Sequence, residues 1–133
     1  MKKQKWIIAT AVALVMATGV ACDDDSTAPA VAGTFVVSLT TPSTDDGAIM
    51  FTISGGAATN PTLLDGTLQL YSSAGTNELT VVIVGDVEAG DLLEFDVPDV
   101  AAFDDYSAAI EEVADRTNDL VTPLTGYSLS IAQ

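Results

Sequence analysis

The sequence contains no histidine, one cysteine and only four cationic residues, and these shortages exclude several classes of function. Without histidine, Ser-His-Asp and Cys-His catalytic arrangements and histidine-ligated metal centres are impossible. The cations are Lys2, Lys3, Lys5 and Arg116, against 19 acidic residues, and the formal net charge is −15. So acidic a chain repels phosphate, which excludes nucleic-acid binding and docking on anionic lipid through a basic patch.

Hydrophobic residues are nevertheless abundant, which predicts a folded domain. They make up 48% of the 133 residues, and the mean hydropathy is +0.38. A high net charge keeps a chain disordered when its apolar residues are too few to form a core. Apolar runs at residues 79–84 and 92–97 remain after the N-terminal segment is set aside, and the length is that of one domain.

The first 21 residues have the organisation of a secretory signal peptide. Three lysines lie within the first five residues, and residues 6–21 carry no charge. This uncharged run is shorter than the roughly 20 residues of a membrane-spanning helix. It is followed by Cys22 and then by three consecutive aspartates. We expect cleavage between Ala21 and Cys22.

Residues 19–22, Gly-Val-Ala-Cys, resemble the lipobox of bacterial lipoproteins, with Gly19 where leucine is usual. The resemblance implies that Cys22 is lipidated and becomes the first residue of the mature chain. Because Cys22 is the only cysteine, it has no partner for an internal disulfide. The expected location is the bacterial cell envelope, where the lipid anchors the chain on the periplasmic or cell-surface face of a membrane.

Composition divides the remaining chain into an acidic flexible tether at residues 22–32 and one folded domain at 33–133. In the domain, apolar residues alternate with polar ones, which is typical of half-buried strands. Gly, Pro, Asp and Asn separate the alternating runs, so the sequence predicts an all-β fold. We expect a single antiparallel β-sandwich, jelly-roll or immunoglobulin-like, of about seven strands. The alternating positions are Phe35/Val37/Leu39, Ile49/Phe51/Ile53, Leu68/Leu70, Leu93/Phe95/Val97 and Tyr127/Leu129/Ile131.

Two segments depart from simple alternation. Residues 79–84 are apolar on both faces, which predicts a central strand covered on both sides. In residues 99–120, apolar side chains recur at helical spacing and Asp99 suits an N-cap. The all-β context instead favours a strand at 106–113 after a short helical turn near 100–105, and we predict the strand.

The order of these strand patterns resembles that of cohesin-like domains, the jelly-roll sandwiches related to some carbohydrate-binding modules. The resemblance rests on residues 47–53, 79–85, 90–97, 110–115 and 126–131. It implies docking of a protein, with a dockerin as partner, or association with carbohydrate. Each matching segment is a strand pattern, so no contact residue is carried over from the family.

Acidic residues at predicted loop edges raise the possibility of bound calcium. Ca²⁺ takes six to eight oxygen ligands and tolerates irregular loops. The candidate ligands are Asp45, Asp46, Asp86, Glu88 and Asp91. They do not follow the EF-hand spacing, and an acid-rich solvated surface explains them more simply. A calcium-dependent adhesion module is therefore an alternative interpretation.

A second alternative is a small carboxylate-based hydrolase, since two carboxylates at the right separation can cleave a glycosidic bond. The candidate pairs are Glu94 with Asp96, and Asp104 with Asp105. Nineteen acids in a small chain produce such pairs by chance, so solvated strand faces are the simpler explanation. We predict no enzyme and no catalytic residue, but a lipid-anchored extracytoplasmic binding or structural module for a protein or carbohydrate.

Arg116 is the single cation outside the first five residues. A guanidinium surrounded by acids is expected to form an ion pair with one of them. We expect its partner to be Asp115, Asp119 or an acid opposite, and this structural pairing is simpler than a grip on a ligand carboxylate.

Overall fold

The computed structural model describes residues 27–133, which form two four-stranded antiparallel sheets. The first sheet has the strand order β3-β6-β1-β8 and the second has β4-β5-β2-β7, so the predicted β-sandwich is confirmed, with eight strands. A short 3₁₀ helix, Val100–Asp105, precedes β7. The strands are β1 Gly33–Thr40, β2 Asp46–Ser54, β3 Thr59–Leu63, β4 Gln69–Ala74, β5 Glu78–Val87, β6 Gly90–Val97, β7 Ser107–Asp115 and β8 Ser128–Ala132.

The core consists of the inward-facing side chains of both sheets. The alternating positions predicted for β1, β2 and β6 are all buried, which confirms the period-two pattern as the signal for this fold. Phe35 is at its aromatic centre. Its ring packs edge-to-face against Phe103, Tyr106 and Phe95, at centroid distances of 5.2, 5.3 and 5.9 Å respectively. Such edge-to-face pairs contribute about 0.5–1.5 kcal/mol each beyond the area they bury.

The segment 99–120 contains the predicted strand after a helical turn. Asp99 caps the 3₁₀ helix by accepting a hydrogen bond from the Ala101 N–H at 3.0 Å. The strand β7 then pairs with β2 along its length. Ala108 and Ile110 pack against the core, as the strand interpretation predicts. Pairing with a distant strand outweighs the helical spacing of the apolar residues, because spacing is only a local preference.

Three local features differ from the expected pattern. Strand β3 was not predicted, and it contains Pro61, which an edge strand tolerates. Leu68 is buried but lies before β4, which begins at Gln69. Leu92 alternates with the core positions of β6 and yet is only 3% exposed. The β1–β6 register shifts between Val37 and Ser38, and this bulge turns Leu92 inward.

Strand β5 is central in its sheet, but the prediction that both of its faces are covered is wrong. Leu79, Val81 and Ile83 are buried on the inner side. On the outer side Val82 is half-buried and Val84 is 38% exposed. The apolar residues of this outer side are therefore surface residues of the domain described here.

The end of the predicted tether is attached to the domain. Residues 27–32 have no regular secondary structure. The Val31 carbonyl accepts a hydrogen bond from the Val100 N–H at 2.8 Å, and the Val31 N–H donates to the Asp99 carboxylate at 3.3 Å. The expected cleavage and lipidation site, Ala21 and Cys22, lies outside the described residues. Within residues 27–133, no helix is long and apolar enough to cross a bilayer.

Candidate binding face

The outer side of the second sheet carries a patch of apolar side chains, which we call the apolar face. Its members are Ala48, Met50, Tyr71, Val82, Val84, Ala114 and Leu120. The strand register brings them together, because Val82 of β5 lies opposite both Met50 of β2 and Tyr71 of β4. Leu120 joins the patch through an isolated bridge to Ala114 at the end of β7.

Three side chains of the apolar face are strongly exposed. Leu120 is 62% exposed, Tyr71 is 60% and Val84 is 38%. On the same side, Thr52 and Thr80 contribute uncharged hydroxyls that lie 3.4 Å apart, and charged side chains lie beside Leu120 and Val84 at the edges. A contiguous exposed apolar patch is typical of an interaction surface, whereas isolated apolar residues need no explanation.

The outer side of the first sheet has the opposite chemistry. It presents the carboxylates of Glu94 and Asp96 from β6, together with hydroxyl groups from the neighbouring strands. Asp96 accepts a hydrogen bond from Asn60 Nδ2 at 2.8 Å. Val36 is the one large apolar residue facing outward from β1, and it is half-buried. The two outer sides therefore differ in polarity, although the inner sides are alike.

Small depressions interrupt the apolar face. One of about 160 Å³ lies among Met50, Val82, Leu120 and the carboxylate residue Glu112. Another of about 180 Å³ lies beside Tyr71. Sites for drug-sized ligands usually measure about 300–1,000 Å³. These two depressions are thus of a size for single side chains of a partner.

A third depression, of about 180 Å³, lies on the other side of Leu120. Its apolar wall includes Val121 and Leu124, and its polar wall is formed by Glu111, Glu112 and Thr122. Glu111 is the additional residue at a bulge in the β2–β7 pairing. Because of this bulge, both consecutive glutamates lie at the exposed edge of the sheet, and Glu111 Oε1 accepts a hydrogen bond from Thr52 at 2.8 Å.

Arg116 marks one end of the apolar face, in a depression of about 320 Å³ that also includes Val84. Its Nε atom lies 3.1 Å from Asp86 Oδ1 and 3.8 Å from Asp45 Oδ1. The expected pairing with an acid opposite is confirmed. The Arg116 side chain is 41% exposed, so these ion pairs contribute little to stability.

The five calcium candidates do not converge on one point. Asp45 and Asp86 flank the Arg116 guanidinium, Glu88 is exposed between β5 and β6, and Asp91 accepts a hydrogen bond from the Ser38 hydroxyl. Across residues 27–133, no group of three or more acidic or cysteine side chains is arranged to hold a metal ion.

Asp46, the fifth calcium candidate, points into the domain and is 1% exposed. It accepts hydrogen bonds from Thr41 Oγ1 at 2.6 Å and from the Tyr127 hydroxyl at 2.7 Å. Burial, followed by the hydrogen bond to Asp46, raises the pKa of Tyr127 above its usual value. Its phenol is therefore protonated at neutral pH and is able to donate. Asp46 thus has a structural role, because its hydrogen bond with Tyr127 connects the start of β2 to the residue just before β8.

The two carboxylate pairs lie on open surface. Glu94 and Asp96 occupy successive outward positions of β6, roughly 7 Å apart along the strand. Asp104 and Asp105 are exposed at the end of the 3₁₀ helix. Neither pair faces another across a cleft in the described part of the chain.

Sequence reasoning did not identify the apolar face, although a signal was present. Met50, Val82 and Val84 are apolar at positions that alternate with core positions. In residues 79–84 that pattern predicts burial on both sides of the strand, and the outer side is a surface only because no second layer covers it. The glutamates at the edge of the apolar face, Glu111 and Glu112, belong to no sequence pattern that would mark them as part of a site.

Comparison with known proteins adds no relative. A scan against protein-family models found no match, and neither did searches of the curated proteins and of the solved structures.

Proposed function

We propose that this protein is a lipid-anchored extracytoplasmic binding module that holds a protein partner on its apolar face, and that it is not an enzyme. The observation that supports the proposal is the difference between the two outer sides of the sandwich. One is polar and acidic, while the other exposes Val84, Tyr71 and Leu120 together. Covering apolar surface is favourable by about 25 cal/mol per Å².

The composition of the face favours a protein over a glycan. Tyr71 is the only aromatic among the strongly exposed large hydrophobic residues of residues 27–133. A sugar ring packs best on a platform of aromatic rings, and one tyrosine among aliphatic side chains is a poor platform. Tyrosine and methionine are, in contrast, enriched in the cores of protein interfaces.

In this proposal Cys22 carries the lipid that holds the domain at a membrane of the cell envelope. Residues 23–32, which follow Cys22, span at most about 35 Å when extended. Val31 is hydrogen-bonded to Val100 and Asp99 at the 3₁₀ helix, so only the residues before Val31 can separate the domain from the lipid. The domain is thus expected close to the membrane and free to turn its apolar face toward a neighbouring protein.

A cysteine substitution tests the anchor. The full chain, expressed in a bacterium that processes lipoproteins, should fractionate with membranes, incorporate a fatty-acid analogue and have the mass of a lipidated chain that begins at Cys22. Cys22→Ser should lose the label. A matched control, Cys22→Ser combined with Ser26→Cys, should also stay unlabelled, because the cysteine is then displaced from the lipobox. Labelling of the single variant would refute the lipid anchor.

Photo-crosslinking tests the binding face. A photoreactive amino acid placed at position 82 of the full chain should give one discrete adduct with another protein in the native envelope. The same amino acid at position 36, on the outer side of the first sheet, is the matched control and should give none. Equal adducts from both positions, or none from position 82, would contradict a binding role for the apolar face.

In residues 27–133 no arrangement of side chains favours the calcium-dependent adhesion module or the carboxylate-based hydrolase, and both stay alternative interpretations of the sequence. The resemblance to cohesin-like domains also stays a prediction, and it agrees with protein docking as the role proposed for this module.

A further inference from the structure

We infer that the partner of the apolar face is a basic protein surface, which seats an arginine or lysine side chain against Glu111 and Glu112 beside apolar side chains that cover Met50, Val82 and Leu120. This inference rests on the proposed function. It adds the chemistry of the partner and the point on the face where its cation is recognised.

The first reason is the shape and lining of the depressions on either side of Leu120. Both are bordered by Glu112, and the one beyond Leu120 is bordered by Glu111 as well. The remaining walls are apolar apart from Thr122, with Met50 and Val82 on one side and Val121 and Leu124 on the other. Arginine and lysine match such a groove, because they bury an apolar stem while the cationic head stays near water.

The second reason is the distribution of charge around the face. At the margin of the apolar face away from Arg116, the exposed charged residues are Glu78, Glu111 and Glu112. The cation at the other end, Arg116, already has Asp86 and Asp45 within 4 Å, so it does not offer the face a free positive charge. A partner with positive charges around an apolar centre would be complementary at each of these carboxylates.

The third reason is that net charge opposes a second copy as the occupant. The chain carries a formal charge of −15, and face-to-face pairing would bring two such bodies into contact. Like charges suppress an association, while opposite charges steer it and raise its rate by one to three orders of magnitude. A basic partner therefore fits the face better than this chain itself does.

A defined peptide tests the inference on the full chain in dodecyl maltoside micelles. The probe is a fluorescent peptide that alternates arginine with leucine, and the same peptide with glutamate in place of arginine is its charge control. We expect the arginine peptide to bind and the glutamate peptide not to bind. Glu111→Gln and Glu112→Gln should each weaken binding about tenfold, the effect of losing one close charge pair.

Matched variants distinguish binding at the apolar face from a general response of the peptide to net charge. Glu94→Gln and Val36→Asp, on the outer side of the first sheet, should leave the Kd unchanged. Val82→Asp should weaken binding by about tenfold or more. Leu120→Ser should act in the same direction, and since Leu120 is 62% exposed this variant leaves the fold intact. Each variant is first checked for an unchanged far-ultraviolet circular dichroism spectrum.

Each outcome decides one claim. Equal weakening by Glu94→Gln and Glu112→Gln would overturn the inference, because the peptide would then respond only to net charge. If Val82→Asp weakens binding while Glu111→Gln and Glu112→Gln do not, the face binds but its partner is not selected for charge. Self-association abolished by Val82→Asp, or glycan binding abolished by Tyr71→Ala, would replace the basic partner with another occupant. Loss of photo-crosslinks from position 82 would instead overturn the proposed function itself.

Discussion

The hydroxyl of Tyr127 donates a hydrogen bond of 2.7 Å to Asp46, a carboxylate that is 1% exposed and 81 residues earlier in the chain. Asp46 begins β2 in the second sheet, and Tyr127 immediately precedes β8 in the first. The bond therefore connects the two sheets at one end of the sandwich. Thr41 supplies a second donor to the same carboxylate, so the buried group has two partners.

Removing the Tyr127 hydroxyl should destabilise the domain. Tyr127→Phe leaves a buried carboxylate oxygen without its donor, which costs about 1–3 kcal/mol. For a domain of about 100 residues, each kcal/mol lowers Tm by about 4–8 °C. The control is Tyr71→Phe, because the Tyr71 hydroxyl bonds only to Gln69 at 3.3 Å on the surface. Thermal melts should show a lower Tm for the first variant and little change for the second, and equal melts would refute the role of this bond.

Alkaline pH should destabilise the domain through two tyrosines. Burial is the largest cause that raises the pKa of both Tyr106 and Tyr127, and Asp105 and Asp99 raise that of Tyr106 further. The folded state thus holds these protons more tightly than the unfolded chain, whose tyrosines titrate near pH 10. Their contribution to stability is complete below about pH 10 and is lost as the pH rises through the raised folded values.

Urea unfolding at a series of pH values measures this effect. The wild type should lose stability above about pH 10, and the double variant Tyr106→Phe with Tyr127→Phe should show a smaller loss. Tyr71→Phe should keep the wild-type profile. A profile that is the same for the double variant and the wild type would contradict the assignment to these two phenols.

Two turns with the pattern Asp-x-Thr predict lowered carboxyl pKa values. Thr117 donates to Asp115 from its hydroxyl at 2.7 Å and its N–H at 2.8 Å, and Thr67 makes the same two bonds to Asp65 at 2.7 and 2.9 Å. These bonds hold both carboxyl pKa values below 3.8. The largest cause is the side-chain bond for Asp115, whereas for Asp65 it is the backbone bond.

Thr117→Val should therefore raise the pKa of Asp115 toward 3.8, and Thr67→Val should shift the pKa of Asp65 in the same direction. Carboxyl carbon chemical shifts followed by nuclear magnetic resonance from neutral to acidic pH give both values. Any stability linked to these carboxylates is present above 3.8 and is lost as the pH falls through the lowered values. An unchanged pKa of Asp115 in Thr117→Val would show that the side-chain bond from Thr117 does not lower it.

Gly55 should not tolerate a side chain. Its φ of +109° is a conformation that other residues rarely adopt, and an added Cβ would overlap the carbonyl oxygen of Asp105. Gly55→Ala should lower the free energy of unfolding by more than about 1 kcal/mol. Gly66 has open space around it, so Gly66→Ala is the control and should be close to neutral. Urea denaturation of both variants measures the difference, and a neutral Gly55→Ala would contradict the close approach of β2 to the 3₁₀ helix.

The pattern of alternation was enough to predict the strands that bury Phe35, Phe51 and Phe95, because a pleated strand with one buried face has a period of two wherever it lies. It was not enough for Leu92, since a bulge opposite Val37 changes which side of the strand faces inward. Strand β3 was missed for a related reason. Its pairing with β6 is made by the backbone, and its side chains are mostly exposed.

For the candidate binding face, too, the sequence predicted some features and missed others. Met50, Val82 and Val84 were visible in the sequence as apolar residues, but Val82 and Val84 were expected to be covered and Met50 was a single apolar residue among polar ones. Glu111 and Glu112 meet Leu120 only because the chain turns after β7 and returns to Ala114. Arg116 forms ion pairs with Asp45 and Asp86 because three separate segments of the chain meet at one end of the second sheet.

The amino-acid sequence by itself determined that this chain forms strands, which side chains of β1 and β2 enter the core, and that its surface is acidic. These properties are local, since each depends on residue types a few positions apart. Only the tertiary structure decided that one outer side of the sandwich stays apolar and uncovered, with carboxylates at its edge. Whether an outer side is covered depends on which elements pack against it. Segments that are distant in the sequence decide this, so the local pattern of residues does not predict it.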